Sequence, residues 1–103
     1  MKLRHFFFAT FLGLFPVAAL AAGEEDLSLV MAQVRAGEYQ NAVATLSPLA
    51  ESGDADAQHL LGYLFENGFG VERNLQRAVE LYVMAARGGQ ADAQFALGEL
   101  ALE

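Results

Sequence analysis

The residues in this chain that could do chemistry are few, and their spacing decides against most of it. Beyond the first 21 residues there is one histidine, His59, and neither lysine nor cysteine. A Ser-x-x-Lys nucleophile needs the lysine and a thiol nucleophile needs the cysteine, so both are excluded. Ser28, Ser47 and Ser52 remain as hydroxyls, but no elbow-type glycine motif surrounds any of them. His59 therefore reads as a half-exposed helix residue and not as a general base. Asp54-x-Asp56 has the spacing that opens a calcium loop, yet the glycine and the distant glutamate that complete one are missing. Gly68-x-Gly70 is followed by no Lys-Ser/Thr and so lacks the groups that hold a phosphate. These residues point to no catalysis, no metal and no cofactor.

The chain as a whole narrows the partner. Met1 to Ala21 has a short basic start (Lys2, Arg4), an apolar run from Phe6 to Phe15, Pro16, and the small-residue string Ala19-Leu20-Ala21. This order is that of a secretory signal peptide cleaved after Ala21, and the run is too short for a membrane anchor. A periplasmic or secreted protein is expected. After cleavage four arginines face thirteen acidic residues, a formal charge of −9. That surface repels phosphate backbones and anionic headgroups, which disfavours nucleic acid and membrane. It suits another protein or a peptide, and a basic one best.

The elements that carry these residues are written twice. Gly53–Asn67, GDADAQHLLGYLFEN, aligns with Gly89–Glu103, GQADAQFALGELALE, with eight of 15 positions identical at an offset of 36 residues. The same offset pairs Gln40 with Gln76, Ala42 with Ala78, Val43 with Val79 and Ala50 with Ala86. Each copy reads as a helix. Asp54 or Ser52 caps the first, and Asp54 and Asp56 place negative charge at its start. Asn67-Gly68 ends it. A second helix, Leu75 to Arg87, is capped by Asn74 and stopped at Gly88-Gly89; Leu75, Ala78, Val79, Tyr82, Ala85 and Ala86 form its apolar face. Upstream, 24–36 and 38–52 form another helix pair about the turn Ala36-Gly37, with Pro48 kinking the second member. The organisation expected is a leader over 1–21, a first helix pair over 22–52, a complete repeat over 53–88 and a half repeat over 89–103.

These residues resemble the Sel-one-like repeat. The resemblance runs from Ala55-Asp56-Ala57-Gln58 through Leu61-Gly62, Gly68-x-Gly70-Val71, Asn74, Ala78, Tyr82 and Ala85-Ala86 to Gly89. Asn74 stands where the family usually has aspartate, the first helix pair lacks the Gly-x-Gly-Val loop, and the cysteine pairs of many secreted members are absent. What the resemblance implies is an all-α, tetratricopeptide-like superhelix of antiparallel helix pairs that works through protein–protein contacts as an adaptor, scaffold or regulator. A self-assembling structural module, using an uncapped last helix for weak homo-oligomerisation, is one alternative. A hydrolase of cell-wall material, with which some secreted relatives are linked, is the other, and the residue inventory opposes it.

The two copies also divide the residues by role. At 100° per residue the shared Ala55, Ala57, Gln58, Leu61, Gly62 and Leu64 occupy one half of the helix, and the differing His59, Leu60, Tyr63, Glu66 and Asn67 the other. The shared positions, together with residues of the resembled pattern, are expected to pack the repeats: Ala57, Leu61, Gly62, Gly68, Gly70, Ala78, Tyr82, Ala85, Ala86, Ala93, Leu97 and Gly98. The glycines Gly62 and Gly98 are expected to let a neighbouring helix come close. In superhelices of the resembled kind the first helix of each pair lines the inner groove. That makes His59, Tyr63 and Asn67, with Phe95, Glu99 and Glu103 from the next copy, the candidates for partner binding.

Overall fold

The computed structural model describes residues 27–102; residues 1–26, which include the expected leader and the start of the expected helix 24–36, and Glu103 lie outside them. The described residues are helical, with no strand among them. Helix α1 covers 27–35, α2 Tyr39–Glu51, α3 Ala55–Asn67, α4 Leu75–Arg87 and α5 Ala91–Leu102. Both α2 and α4 begin and end 36 residues apart, and α3 and α5 begin 36 apart. The period in the sequence is thus the period of the backbone. From α2 onward each helix packs on the next in chain order, and α1 joins them through Val30, as in a stack of antiparallel pairs.

Local chemistry sets the boundaries. The Asp54 carboxylate accepts from the Ala57 amide at 3.0 Å and Asn74 accepts from the Arg77 amide at 3.0 Å, each satisfying an N–H that the first turn leaves free. Of the two caps offered for α3, Asp54 serves. The Ser52 hydroxyl instead donates back to the Leu49 carbonyl. Helix α2 continues through Pro48 to Glu51. Gly68 closes α3 in the left-handed conformation, with its N–H on the Leu64 carbonyl. The loop then turns at Gly70, where φ is +75° and a Cβ would come within 2.5 Å of the Tyr39 backbone. Only glycine satisfies both conditions. The Phe69 ring beside it stacks on Tyr39 at 4.7 Å, seating the loop on the start of α2.

Two apolar clusters result. The larger joins Val30 of α1, Ala42, Leu46 and Ala50 of α2, Ala57, Leu61 and Leu64 of α3, and Leu81 of α4. The smaller joins Ala78, Tyr82 and Ala85 of α4 to Ala93 of α5, and Phe65 packs against both. Helix α4 therefore buries two adjoining strips, one toward each cluster. This corrects the single apolar face expected for it. Leu75 is exposed, Val79 and Ala86 are half-buried, and Leu81, absent from that face, is among the most buried side chains.

Shared polar positions prove as structural as the apolar ones. The Gln58 amide, buried at 6% exposure, donates to the Ala50 carbonyl at 3.1 Å. One period on, the exposed Gln94 amide donates to the Ala86 carbonyl at 3.4 Å. In each repeat a glutamine thus adds a second hydrogen bond to a carbonyl at the end of the preceding helix, which also accepts from a glycine amide, Gly53 on Ala50 and Gly89 on Ala86. Gln58→Ala removes a buried hydrogen bond while the Ala50 carbonyl keeps that from Gly53, and should cost about 0.5–1.5 kcal/mol. Gln94→Ala, where water can replace the amide, should cost less than about 0.5 kcal/mol. Urea unfolding of the two variants checks this; equal costs would mean the glutamines do not play the same part under different burial.

Candidate functional site

The first helices of the pairs, α1, α3 and α5, bring together a cleft of about 380 Å³. Leu27 and Met31 of α1 form one wall. Asp56, His59 and Leu60 of α3 form the middle, and Gln90 with Asp92 at the start of α5 close it. Helix periodicity accounts for the middle wall. Asp56, His59 and Leu60 are spaced i, i+3, i+4 on the side of α3 opposite the buried Ala57, Leu61 and Leu64. The surface offered is apolar from Leu27, Met31, Leu60 and the His59 ring, with carboxylates at Asp56 and Asp92 and no lysine or arginine.

Gln90 holds the two repeats in register at this cleft. Its side-chain oxygen accepts from the Ala93 amide at 2.7 Å, capping α5, and its nitrogen donates to the Asp56 carboxylate at 3.3 Å. Asp56, shared between copies yet lying on the variable side, is thereby tied to the next repeat. Neither Gln90 nor Glu66 stood out in the sequence. Gln90 takes the place that Asp54 has in the preceding copy, and only its second bond, across 34 residues, reveals its part.

His59 is the one groove candidate that lines the cleft, and its ring also lies 5.8 Å from that of Tyr82, tilted by 37°. The others lie elsewhere. Tyr63 is exposed and meets the Phe69 ring edge-on at 6.1 Å, beside the inter-helix loop. The Asn67 amide donates to the Tyr63 carbonyl at 2.9 Å. Phe95 and Glu99 are exposed on α5, Phe95 to 69%, and Glu103 lies outside the described residues.

The packing residues are placed as follows. Ala57, Leu61, Gly62, Ala78, Tyr82, Ala85 and Ala93 are buried, while Ala86, Leu97, Gly68 and Gly70 are half-buried. At Gly62 a Cβ would meet the Tyr82 ring at 2.8 Å and the Ala78 carbonyl oxygen at 3.3 Å, so α3 and α4 approach as closely as the missing side chain permits. The close approach expected at Gly98 is not found. That glycine is exposed, with nothing within 4 Å of its Cβ position, because no described helix packs on that side of α5.

Repetition at 36 residues, antiparallel pairing and a cleft lined by first helices define a tetratricopeptide-like helical solenoid. The Sel1 repeat model matches residues 55–90 and again 91–103. The chain is a Sel1-like repeat protein. Repeats of this family generally mediate protein–protein interaction, and their helical fold is typically non-catalytic. No curated protein and no solved structure matches the chain. Among the described residues no helix is long and apolar enough to cross a membrane, and no group of three or more His, Asp or Glu side chains is arranged to hold a metal.

One titratable group is clearly displaced. Burial, reinforced by the hydrogen bond that the Tyr82 hydroxyl donates to the Glu66 carboxylate at 2.7 Å, pushes the Tyr82 phenol well above its usual range. A raised folded-state pKa adds stability that is full below the ordinary tyrosine value of about 10 and declines as pH rises beyond it. Tyr82→Phe should cost about 1–2 kcal/mol at neutral pH, since it leaves the half-buried Glu66 without its donor. It should also flatten the loss of stability above about pH 10. Thermal unfolding between pH 7 and 11 measures both effects; an alkaline loss unchanged in the variant would assign it to other groups.

Proposed function

We propose that this protein is an exported adaptor whose α1–α3–α5 cleft holds a basic, amphipathic peptide segment of a partner protein. The observation that carries the reading is the cleft's composition: an apolar floor from α1 and α3, carboxylates at Asp56 and Asp92, and no lysine or arginine among the lining residues. A segment with leucine-like side chains would cover Met31 and Leu60, and its lysines or arginines would face the two aspartates. The carboxylates set partner choice and encounter rate, and the apolar floor supplies the affinity. The acid-rich composition extends the same sign of potential beyond the cleft. Export rests on the leader-like Met1–Ala21, which places the partner in the periplasm or outside the cell. The chain contributes binding and no chemistry, in keeping with His59, the one histidine beyond Ala21, lying beside the Tyr82 ring.

The test uses protein recovered from the exported fraction, which on this reading begins at Ala22. A twelve-residue peptide of alternating leucine and arginine pairs should bind it, with affinity falling as salt rises. Asp56→Lys with Asp92→Lys should weaken binding at least tenfold while helical content is unchanged. The matched leucine–glutamate peptide should not bind. If the double reversal leaves the affinity of the basic peptide intact, the cleft is not the site.

A further inference from the structure

Helices α2, α3 and α4 surround a cavity of about 520 Å³, a size usual for small-molecule sites. It lies on the opposite side of α3 from the α1–α3–α5 cleft. Gln58, Leu61 and Phe65 point about 180° away from Asp56, His59 and Leu60. The buried Leu61 and Leu81 form the cavity floor. Two hydrogen bonds mark its ends. The Gln58 amide on the Ala50 carbonyl fixes the first, beside Ser47 and Glu51 of α2. The Asn74 amide on the Phe65 carbonyl, at 2.9 Å, fixes the second, where Arg77 lies in the first turn of α4. Gln58 and Phe65 are seven residues apart, so the ends stand about 10 Å apart along α3.

The two ends offer opposite chemistry. The first is a place of acceptors. Gln58 is buried; its Nε2 donates to Ala50, and among the described residues nothing donates to its Oε1. The Ser47 hydroxyl donates to the Val43 carbonyl at 2.8 Å, which leaves its lone pairs to accept. Glu51 adds an exposed carboxylate that has no ion-pair partner among the described residues. An ammonium group, with three N–H donors and no acceptor, complements these three oxygens. The second end holds the Arg77 guanidinium. Its surface pairing with Glu80 at 3.2 Å is weak and leaves other N–H groups for a carboxylate. We propose that this cavity binds a short peptide by its two free ends, a tripeptide with an apolar middle residue. Its ammonium group sits at Ser47, Glu51 and Gln58, and its carboxylate on Arg77. Each extended residue spans about 3.3–3.6 Å, so three cover the distance, and the middle side chain lies on Leu61 and Leu81. The site shares no residue with the α1–α3–α5 cleft and does not rest on how that cleft is read.

The probe is Ala-Leu-Ala with free ends, titrated calorimetrically into protein recovered from the exported fraction. It should bind, and N-acetylation or C-amidation should each weaken it about tenfold, as expected for losing one charged hydrogen-bonding group. Gly-Gly-Gly, which lacks the middle side chain, should also bind about tenfold more weakly. Two exposed side chains locate the ends. In Glu51→Gln the free and acetylated peptides should bind with similar affinity, and in Arg77→Gln the acid and the amide should. Circular dichroism should show helical content unchanged in both variants. No binding of the free tripeptide, or end preferences that survive both substitutions, overturns the proposal. So does equal binding of the blocked forms, since an internal segment of a protein would bind in that way. Binding of Gly-Gly-Gly as tight as that of Ala-Leu-Ala overturns it too. Asp56→Lys with Asp92→Lys should leave Ala-Leu-Ala binding unchanged; a tenfold loss there would place the peptide in the cleft and contradict the assignment.

Discussion

The contact between Tyr82 and Gly62 governs how the rest of the molecule is arranged. A helix with any side chain at position 62 would hold α4 away from α3, since even a Cβ would sit 2.8 Å from the ring. With glycine there, the ring fills the space and its hydroxyl reaches Glu66. Close approach at this crossing also carries Ala78 and Ala85 into the smaller apolar cluster and directs Leu81 into the larger one. Because α4 faces both clusters, the angle at which it meets α3 sets where α5 begins. Gln90 then connects that start to Asp56, and the cleft takes its shape.

Small side chains recur at these crossings for the same reason. Ala42, Ala57, Ala78, Ala85 and Ala93 are all fully buried, and alanine costs no side-chain rotamer freedom on burial. Helices of 12 or 13 residues are marginal when isolated, so each depends on its neighbour for stability. The ion pair between Arg77 and Glu80, at 3.2 Å on the surface of α4, contributes little beside this packing. Stability here is a sum of helix-to-helix contacts along a line, and α5 has one such contact where α3 has two.

Much of this was legible in the sequence, because a repeated sequence specifies repeated contacts. The 36-residue offset, the caps at Asp54 and Asn74, and the division of α3 into shared and variable halves all follow from residue types and helical geometry. What was not legible depends on which neighbours a helix meets. Gly62 and Gly98 are the same letter at the same repeat position, yet one lies against a ring and the other faces open space. Glu66, assigned to the variable side, accepts the Tyr82 hydroxyl from 16 residues away. Tyr63 and Phe95 were grouped with His59 as groove residues, but in α3 only one turn of the variable side reaches the cleft. Tyr63 belongs with Phe69 and the loop, and Phe95 with the free face of α5. Leu81 escaped notice since a single apolar stripe cannot represent a helix held between two clusters.

The account turns on the claim that Gly62 is required above all by the Tyr82 ring of α4. A double-mutant cycle between Gly62→Ala and Tyr82→Ala, followed by urea unfolding, measures that directly. In the natural background Gly62→Ala should destabilise by about 1–3 kcal/mol, the usual cost of forcing an extra methyl into packed space. With Tyr82→Ala already present the same change should become neutral or stabilising by up to about 1 kcal/mol, as alanine is the better helix former. A coupling energy on the order of 2 kcal/mol confirms the contact as the one that sets the stack. Additive effects would contradict it, and would mean that α3 and α4 are positioned by other residues.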